Sequence, residues 1–479
     1  MRNVIITILT ALLICPPASA AFTGTTQWDV RTTGLDTNGG CFDPYIASAG
    51  TDRSQADTPF ISYTDLLVGA TTTQYTSVLN PPTTALIGNC INVQSGVGCT
   101  VQRVQVVSVA SSIATVDKSL GTAASVCTGD LGGGLLTNAL AWSLFVSGNT
   151  VWTKSGTYTI TSGITTPASV QFYWIGYGSA HGDDGPAPLI TTSTNSVVLF
   201  TINTGVIVAT MHNLAFSHTA ASRGNCIQND SSVPPLITIS NASLTGCVYG
   251  VAAEGGVSGQ NVNQLTVSNS TFASNLGSDV LWGGALKLYG NFINGGNSTA
   301  GNGMIESAVS GSSLDAVGNV LVNGTAKGIV QSLANVAYGK IYSNTFGNIG
   351  TVCMDFGVLA FAGQSLIAQN NIFYGCGTVG LAVLPSLRIY GVNVRNNAFG
   401  NNGTDYTGVP AGIGDVSIGA DPFTNSGGGD YSLNNASTGG ALLRSAGYPG
   451  LLGGSTTSYP PIGAVAPQQT SGQRVYSSQ

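Results

Sequence analysis

Two acidic residues in the middle of the chain are candidates for acid–base chemistry. Glu306 and Asp355 occur in the segments GNGMIES and GTVCMDF, which align with VYGVAAE, GSDVLWG and AKGIVQS and predict equivalent strands of successive repeats. The alignment places Trp282, Glu306 and Gln331 in one column, with Asp355 one residue out of it and two repeats beyond Glu306. At a strand spacing of about 4.8 Å the carboxylates would lie roughly 10 Å apart, at or beyond the upper end of the separation in inverting glycosidases. The alternative is that Glu306 is a solvated surface residue and Trp282 packs inside a repeat or at its edge.

A second group of residues suits sugar binding. Lys287, Asp315 and Lys340 alternate in charge at equivalent positions of three successive repeats, and a Tyr follows two residues after each Lys. Residues two apart in a strand face the same side, and aromatic rings beside polar groups on a flat sheet suit stacking against sugars. The alternative is that the opposite charges only stabilise strand pairing. With the Trp of the first group, the candidate carbohydrate-binding residues are Lys287, Tyr289, Asp315, Lys340, Tyr342 and Trp282.

The sequence predicts no metal and no cofactor. No Cys-x-x-Cys spacing with His partners is present, so a zinc site is not indicated. His181 lies with Asp183 and Asp184 in the loop GSAHGDDGPAP, which could bind a cation. A turn rich in Gly, Asp and Pro requires no metal to explain it.

The elements that must position these residues are repeats. From Met211 to Phe399 a short phrase recurs as MHNLAF, ISNASL, VSNSTF, LYGNFI, AVGNVL, IYSNTF, AQNNIF and VRNNAF. The closing apolar residues are separated by 28, 28, 21, 28, 25, 27 and 26 residues, a mean of roughly 26. Self-similarity at such a period predicts a solenoid, whose units bury their apolar faces by stacking on neighbours.

Alternation within each repeat predicts strands. The positions four and two residues before the recurring Asn or Gly are mostly apolar, and the position between them is mostly polar. This period of two indicates half-buried strands, so we expect an all-β parallel β-helix. The Asn and Gly column suits corners in the left-handed conformation. Stacked Asn side chains there, among them Asn213, Asn241 and Asn370, could also form a hydrogen-bonded ladder.

Three segments carry a resemblance to a known family. The segment GNTVWTKSGTYTITSGITTPASVQFYWIGYGS resembles the opening coil of secreted right-handed parallel β-helix proteins of the pectate-lyase-like superfamily. DVRTTGLDTNGG is similar to the usual beginning of these bacterial and phage proteins, and ADPFTNSGGGDYSLNNASTGGALLRSAG followed by PPIGA to their end. The resemblance implies a right-handed parallel β-helix. It implies no single activity, because the superfamily includes lyases, hydrolases, phage tailspikes and non-catalytic adhesins.

The chain divides into four predicted segments. Residues 1–20 read as a signal peptide, with Arg2, an apolar run and the cleavage motif Ala18-Ser19-Ala20. Residues 21–130 hold an N-terminal strand and an inserted β module that would cap one end of the solenoid. Residues 131–425 form the β-helix, after a short amphipathic helix that begins the segment. Residues 426–479 form a cap across the C-terminal end and a mobile tail.

Signal cleavage would leave eight cysteines, an even number typical of a disulfide-bonded exported protein. Cys226 with Cys247, and Cys353 with Cys376, occupy the same positions in two pairs of adjacent coils, which suggests two bridges. Cys90 and Cys99 flank a hairpin-like segment and Cys41 and Cys127 flank the insertion, so these are possible pairs too. Connectivity stays open at this point.

Composition limits the function classes. Only 7% of residues are charged and the net charge is −6, which gives no electrostatic footprint for nucleic acid or a membrane surface. We expect a secreted or cell-surface protein with no membrane segment after cleavage, and association into a homo-oligomer stays open. The leading hypothesis is a surface or virion-associated protein whose outward face binds a polysaccharide or cell-surface glycan. The alternatives are a polysaccharide lyase or glycoside hydrolase of the same superfamily, and a purely structural fibre or adhesin.

Overall fold

The computed structural model describes residues 22–231, 233–255, 260–296, 303–307, 312–331, 338–356, 365–383, 391–448 and 461–464. The predicted signal peptide and the last residues of the tail lie outside this part of the chain. Contacts divide the protein into two compact units. The smaller comprises residues 37–133 with 22–26, and the larger comprises residues 27–36 and the chain from Gly134 onward.

The larger unit is a parallel β-helix built of three sheets, which we number in the order in which each coil passes through them. Sheet 1 contains Gln27–Val30, Thr150–Lys154, Gln171–Tyr177, Val208–His212, Leu236–Ser240, Gln260–Ser268, Gly284–Tyr289, Ser313–Val317, Tyr338–Tyr342, Ser365–Gln369 and Val392–Arg395. Sheet 2 contains Thr157–Thr159, Leu189–Thr192, Ala215–His218, Ser243–Thr245, Thr271–Ala273, Phe292–Asn294, Val320–Val322, Thr345–Gly347, Ile372–Tyr374, Ala398–Gly400 and Val416–Ser417. Sheet 3 contains Ile164–Thr165, Phe200–Ile202, Ile227–Asn229, Val251–Gly255, Val280–Trp282, Gly303–Ser307, Lys327–Gln331, Val352–Phe356, Val379–Val383 and Thr404–Thr407.

The register of sheet 2 follows the repeated phrase. Phe216 pairs with Leu244, and the pairing continues through the closing apolar residue of every later phrase to Phe399. At the C-terminal end of this column the rings of Phe346, Phe373 and Phe399 stack, with centroids 5.0 and 4.9 Å apart. The predicted all-β solenoid is therefore confirmed, and its interior is a column of apolar side chains that each coil extends.

The Asn and Gly column forms the corner between sheets 1 and 2. Asn213, Asn241 and Gly318 have φ angles of 53°, 51° and 65°, in the left-handed region that these residue types tolerate. The corner therefore depends on the backbone preferences that the sequence indicated.

A hydrogen-bonded ladder also exists, but one residue beyond the predicted column. Five buried Asn side chains on successive coils bond amide to carbonyl at 2.9 to 3.1 Å, and each also satisfies backbone groups of adjacent coils. The ladder residues are Asn291, Asn319, Asn344, Asn371 and Asn397. Asp415 ends the ladder, because its Oδ1 accepts from the backbone N–H of Asn397 at 2.8 Å. The expectation that the left-handed residues form the ladder was wrong, since the residue after the turn is the one in the ladder.

The helix predicted at the start of the β-helix segment is short. It spans Asn138–Ser143. Trp142 in this helix packs against Phe172, Trp174 and Phe200, at centroid distances of 5.1, 5.6 and 5.4 Å. The helix thus covers the interior of the first coils with an aromatic side chain.

The C-terminal segment lies along one side of the solenoid. An antiparallel pair of strands, Phe423–Asn425 and Asp430–Leu433, is connected by a 3-10 helix at Ser426–Gly428 and followed by a helix at Gly440–Leu443. Its apolar residues join outward side chains of sheet 2 in one buried cluster that includes Val320, Ile372, Ala398, Phe423, Tyr431, Leu443 and Ile462. We expected this segment to fold across the C-terminal end. Instead its apolar side chains cover outward apolar residues of several consecutive coils.

The smaller unit is a closed six-stranded antiparallel barrel. Its strands are Ile61–Val68, Gln74–Thr76, Cys90–Ser95, Gln102–Ala110, Ile113–Val116 and Val126–Leu131, with a two-residue strand at Cys41–Phe42 and a 3-10 helix at Thr84–Leu86. Its core includes Tyr63 and Tyr75, whose rings meet edge to face at 5.6 Å. Because the strands alternate buried and exposed residues, the segment folds around a core of its own.

Four disulfides are formed. Cys226 bonds to Cys247 and Cys353 to Cys376, each joining adjacent coils as the repeated spacing suggested. The other two differ from the suggested pairs and are Cys41–Cys90 and Cys99–Cys127. Flanking this segment in sequence did not bring Cys90 to Cys99, because Cys90 begins the strand Cys90–Ser95 and Cys99 lies beyond its far end. No helix among the described residues is long and apolar enough to cross a membrane.

Candidate functional site

Five of the six candidate carbohydrate-binding residues lie together on the outward face of sheet 1. Lys287 pairs with Asp315 and Asp315 with Lys340, on three consecutive strands. The residues on either side of each, such as Leu286, Leu288 and Ile341, are fully or almost fully buried, so alternation directs the charged side chains outward. We call Lys287, Tyr289, Asp315, Tyr338, Lys340 and Tyr342 the Tyr–Lys face.

Asp315 is oriented by a tyrosine of the neighbouring strand. The hydroxyl of Tyr289 donates to Asp315 Oδ2 at 3.4 Å. Partial burial, with the nearby Asp315 charge as the second cause, raises the pKa of Tyr289 to about 12, and the same two causes raise the pKa of Tyr342. Both hydroxyls are therefore protonated donors at neutral pH.

The strand Tyr338–Tyr342 projects three polar or aromatic side chains outward. Tyr338, Lys340 and Tyr342 alternate with buried residues along a single strand. Lys340 Nζ lies 5.3 Å from the centroid of the Tyr338 ring, within the range of a cation–π contact. Tyr338 is 38% exposed and was missing from the predicted set, although its position two residues before Lys340 could have identified it.

The face continues into a groove on the next strands. Residues of the last two strands of sheet 1, with Gly391 and Ile413, line a space of about 540 Å³. Asn393 stands two strands from Lys340 in the same column, and its Oδ1 accepts from Arg395 Nε at 2.8 Å. The Arg395 guanidinium lies 5.1 Å from the Tyr448 ring centroid. Polar and aromatic groups thus extend over five consecutive strands.

Comparison with known proteins gives matches among solved structures only. No protein-family model and no curated protein matches the chain. Among solved structures it is similar to pectate lyase Pel9A, at 17% identity over 69% of this chain and 91% of that chain, with a TM-score of 0.41. It is also similar to the catalytic domain of a GH87 alpha-1,3-glucanase in complex with tetrasaccharides, at 10% identity over 75% and 89% of the two chains, with a TM-score of 0.22. Likeness at this level concerns the fold alone.

The three stacked parallel sheets, with coils of about 26 residues, decide the architecture. This chain is a parallel β-helix. The resemblance found in its sequence is confirmed at the level of fold.

Trp282 does not belong to the outward face of the β-helix. It is fully buried and pairs with Ser307, which pairs in turn with Gln331. These side chains point into the solenoid, and the indole Nε1 has no hydrogen-bond partner. The prediction that Trp282 binds carbohydrate was therefore wrong, because a ring inside the coil cannot reach a sugar outside it.

The predicted register of the carboxylates was also wrong by one residue. Glu306 pairs with Val330 and Val330 with Asp355, so the two acidic residues share an outward column two strands apart. The preceding corners differ in length, and a slip of one residue exchanges the two faces of a strand. Ser278 donates to Glu306 Oε2 at 2.7 Å, and Lys327 Nζ lies 2.7 Å from Asp355 Oδ2. The two carboxylates are thus separated by the strand that carries Val330, and each has a partner of its own.

Sequence reasoning missed a buried polar cluster on the first coils. Asp29 is fully buried and its carboxylate contacts Arg31 Nε at 2.8 Å, the Tyr177 hydroxyl at 2.7 Å and His181 Nε2 at 2.6 Å. The His181 ring stacks on Trp152 at 4.4 Å. Burial, followed by the Asp29 charge, raises the pKa of Tyr177. Asp29 lies within the first strand, Gln27–Val30, but nothing local in the sequence links it to residue 181.

The loop that holds His181 is organised by its own carboxylate. Asp183 accepts from the backbone N–H groups of Gly178, Ser179 and Ala180, and the hydroxyl of Ser179 lowers its pKa most. These donors occupy the oxygens that a cation would need. Within the described ranges, no group of three or more His, Cys, Asp or Glu residues could hold a metal ion.

Proposed function

We propose that this protein binds a polysaccharide or cell-surface glycan on the Tyr–Lys face. The observation that carries the proposal is the strand Tyr338–Tyr342, which projects Tyr, Lys and Tyr outward beside Asp315 and Lys287. The rings of Tyr338 and Tyr342 offer apolar faces for the C–H groups of sugar rings. Lys340 and Asp315 offer a donor and an acceptor for hydroxyls.

The distribution of charge supports a binding role over simple strand pairing. The chain contains only 14 Lys and Arg residues among 479. Three of them, Lys287, Lys340 and Arg395, fall on outward positions of alternate strands in sheet 1. The separate strands of this face lie about 4.8 Å apart, so an extended oligosaccharide lying across them would meet several of these groups.

The experiment is a glycan array probed with the purified mature chain, beside a double variant with Tyr338→Ala and Tyr342→Ala. We expect a restricted set of bound glycans whose signal falls at least tenfold in the double variant. The matched control is Tyr45→Ala, which removes a ring that is 76% exposed in the other unit. A signal that survives the double variant, or that falls equally in the control, would contradict binding at this face.

A lyase or hydrolase activity is the second candidate, and one observation favours it. Glu306 and Asp355 share an outward column of sheet 3, closer in register than the sequence alignment placed them. New reducing ends or unsaturated products from the same glycans, lost in Glu306→Gln, would establish the enzyme. Binding without products would leave the carbohydrate-binding function.

We also propose that the protein is exported from the cell. Four disulfides fit an oxidising, extracellular compartment, and residues 1–20 would direct the chain there. N-terminal sequencing of the secreted product tests cleavage after Ala20. Sizing of the same product tests the homo-oligomer, and filaments without glycan affinity would favour the structural fibre or adhesin.

A further inference from the structure

Three side chains on consecutive coils form a chain of hydrogen bonds from a carboxylate through an imidazole to a hydroxyl. Asp184 Oδ1 lies 2.8 Å from His212 Nε2, and His212 Nδ1 lies 2.8 Å from the Ser240 hydroxyl oxygen. Each step spans 28 residues, one coil of the solenoid. His212 pairs with Ser240 in sheet 1, and the preceding residues Met211 and Ile239 are buried. Alternation therefore directs both side chains outward.

The bonding partners determine where the imidazole proton lies. An ionised carboxylate can only accept, so in the neutral ring Nε2 of His212 carries the hydrogen and donates it to Asp184. Nδ1 is then the acceptor for the Ser240 hydroxyl. This is the relation of carboxylate, base and nucleophile in serine hydrolases, with the two ring nitrogens exchanged. The exchange preserves the chemistry, because each tautomer of imidazole leaves one nitrogen free to act as a base.

The loop that carries Asp184 is anchored on both sides of this residue. Asp183 accepts from the backbone N–H of Ala180 at 3.0 Å. On the other side, Asn213 Nδ2 donates to the carbonyl oxygen of Gly185 at 3.1 Å. These bonds hold the Asp184 carboxylate beside the imidazole before any substrate arrives, which is the preorganisation that a catalytic site requires.

The hydroxyl of Ser240 is accessible and lies in line with the Tyr–Lys face. The His212 side chain is 29% exposed and Ser240 is half-buried. Ser240 pairs with Ser268, and Ser268 with Tyr289, so two strand spacings, about 10 Å, separate Ser240 from Tyr289. A glycan lying along the face would bring a substituent of its next sugar to Ser240. Ser268 offers a hydroxyl donor to an oxyanion formed there.

We propose that Ser240 and His212, positioned by Asp184, hydrolyse carboxylic esters. The substrate class, an O-acylated glycan, rests on the glycan binding proposed above. Ser240 Oγ attacks the ester carbonyl carbon while its proton passes to His212 Nδ1. The imidazolium, stabilised by Asp184, gives this proton to the leaving sugar oxygen, so the C–O bond breaks and an acyl-serine remains. Water then attacks the acyl carbon and gives a proton to Nδ1, which returns it to Ser240 Oγ as the carboxylic acid leaves.

The nucleophile is tested with two probes that require no glycan binding. One is covalent labelling of the native chain by a fluorophosphonate, mapped by peptide mass spectrometry, and the other is hydrolysis of p-nitrophenyl acetate. We expect the label on Ser240, and a loss of turnover of about a thousandfold or more in Ser240→Ala and in His212→Gln. The matched control is Ser243→Ala, a half-buried hydroxyl of sheet 2 on the same coil, which should keep both. Absence of label on Ser240, or equal turnover in Ser240→Ala, would overturn the proposal. Labelling of the native chain decides the question even where a variant fails to fold.

The positioning role of Asp184 has a separate kinetic signature. Asp184→Asn should lower kcat for p-nitrophenyl acetate by about a hundredfold or more, because the amide cannot stabilise the imidazolium. KM should stay unchanged, since this side chain does not contact the ester. An unchanged kcat, or a loss that appears in KM instead, would overturn the role.

Acetate release from O-acetylated polysaccharides tests the substrate class. The double variant with Tyr338→Ala and Tyr342→Ala should release acetate at least tenfold more slowly, with hydrolysis of p-nitrophenyl acetate unchanged. Equal release by this variant would contradict glycan binding at the Tyr–Lys face and leave the esterase standing. No release from any acetylated polysaccharide, with the small ester still hydrolysed, would overturn the glycan as substrate.

Discussion

Asp279 should make the β-helix less stable as the pH rises above the ordinary Asp pKa. The residue is fully buried at the end of the turn before a strand of sheet 3. Its Oδ1 accepts from Asn275 Nδ2 at 2.7 Å, whereas Oδ2 has no hydrogen-bond partner. Burial raises the pKa of Asp279 well above its usual range, and only the bond from Asn275 opposes the shift. The folded protein therefore holds a proton on this carboxyl at pH values where an unfolded chain has lost it.

The sign and size of the effect follow from proton linkage. The contribution of Asp279 is fully favourable below the ordinary Asp pKa of about 3.9. As the pH rises from there towards the raised pKa, folding must take up a proton. The free energy of unfolding then falls by about 1.4 kcal/mol per pH unit from this residue alone.

The perturbation is Asp279→Asn. The amide has the same shape and its oxygen can still accept from Asn275, but it cannot ionise. We expect the variant to gain stability relative to the native protein by about 1.4 kcal/mol for each pH unit above about 4, until the raised pKa is reached. The measurement is urea unfolding of both proteins at several pH values, with infrared detection at pH 5 of a protonated carboxyl band present in the native protein only.

The control is a carboxylate with the same kind of bond in a different environment. Asp230 is exposed and accepts from Gln228 Nε2 at 2.7 Å, so Asp230→Asn makes the same chemical change outside the interior. A change in the pH slope as large as that of Asp279→Asn would contradict burial as the cause. Stability curves of the native protein and Asp279→Asn that run parallel from pH 4 to pH 8 would refute the reasoning. A protonated carboxyl band that persists in Asp279→Asn would refute the assignment.

Three further predictions concern the ladder, a disulfide and the Tyr–Lys face. Asn344→Ala removes the acceptor of the Asn319 backbone N–H and the donor to Ala316 O. Leaving these buried groups unsatisfied should lower the free energy of unfolding in urea by about 3 kcal/mol. A loss under about 1 kcal/mol would mean that water replaces the amide. Replacing Cys353 and Cys376 by Ser opens a loop of 23 residues and should cost about 3 kcal/mol. The difference between the variant and the native protein should vanish when both are fully reduced, because neither then has this bridge. Tyr338→Phe should keep glycan binding within about threefold while Tyr338→Ala loses it, because stacking uses the ring; equal losses would assign the contribution to the hydroxyl.

Prediction from the sequence succeeded where a local pattern determines the structure. The apolar column from Phe216 to Phe399 stacks as the phrase alignment indicated, because each coil repeats the same short-range alternation. The corner residues Asn213 and Gly318 have the left-handed backbone that their types favour. The Cys226–Cys247 bridge followed from two cysteines at equivalent places on adjacent coils.

Prediction failed where a shift of one residue in the strand register moves a side chain from the inside of a coil to its outside. Trp282 and Glu306 were placed in one column, yet one is inside the coil and the other outside. The corner before this strand varies in length between coils, so the alternation does not show which residue begins the pairing. The ladder was also predicted one residue too early, at the left-handed corner residues rather than at the residues that follow them.

The sequence by itself determined the parallel β-helix, its period, its corners and the outward charges of Lys287, Asp315 and Lys340. Each of these depends on residue type and on spacing within one coil or between neighbours. Only the tertiary structure decided that Asp29 contacts His181, that Asp279 is buried with one oxygen unpaired, and that the C-terminal segment packs beside sheet 2. These contacts join residues far apart in the chain or depend on what covers a position, and neither condition leaves a periodic signal in the sequence.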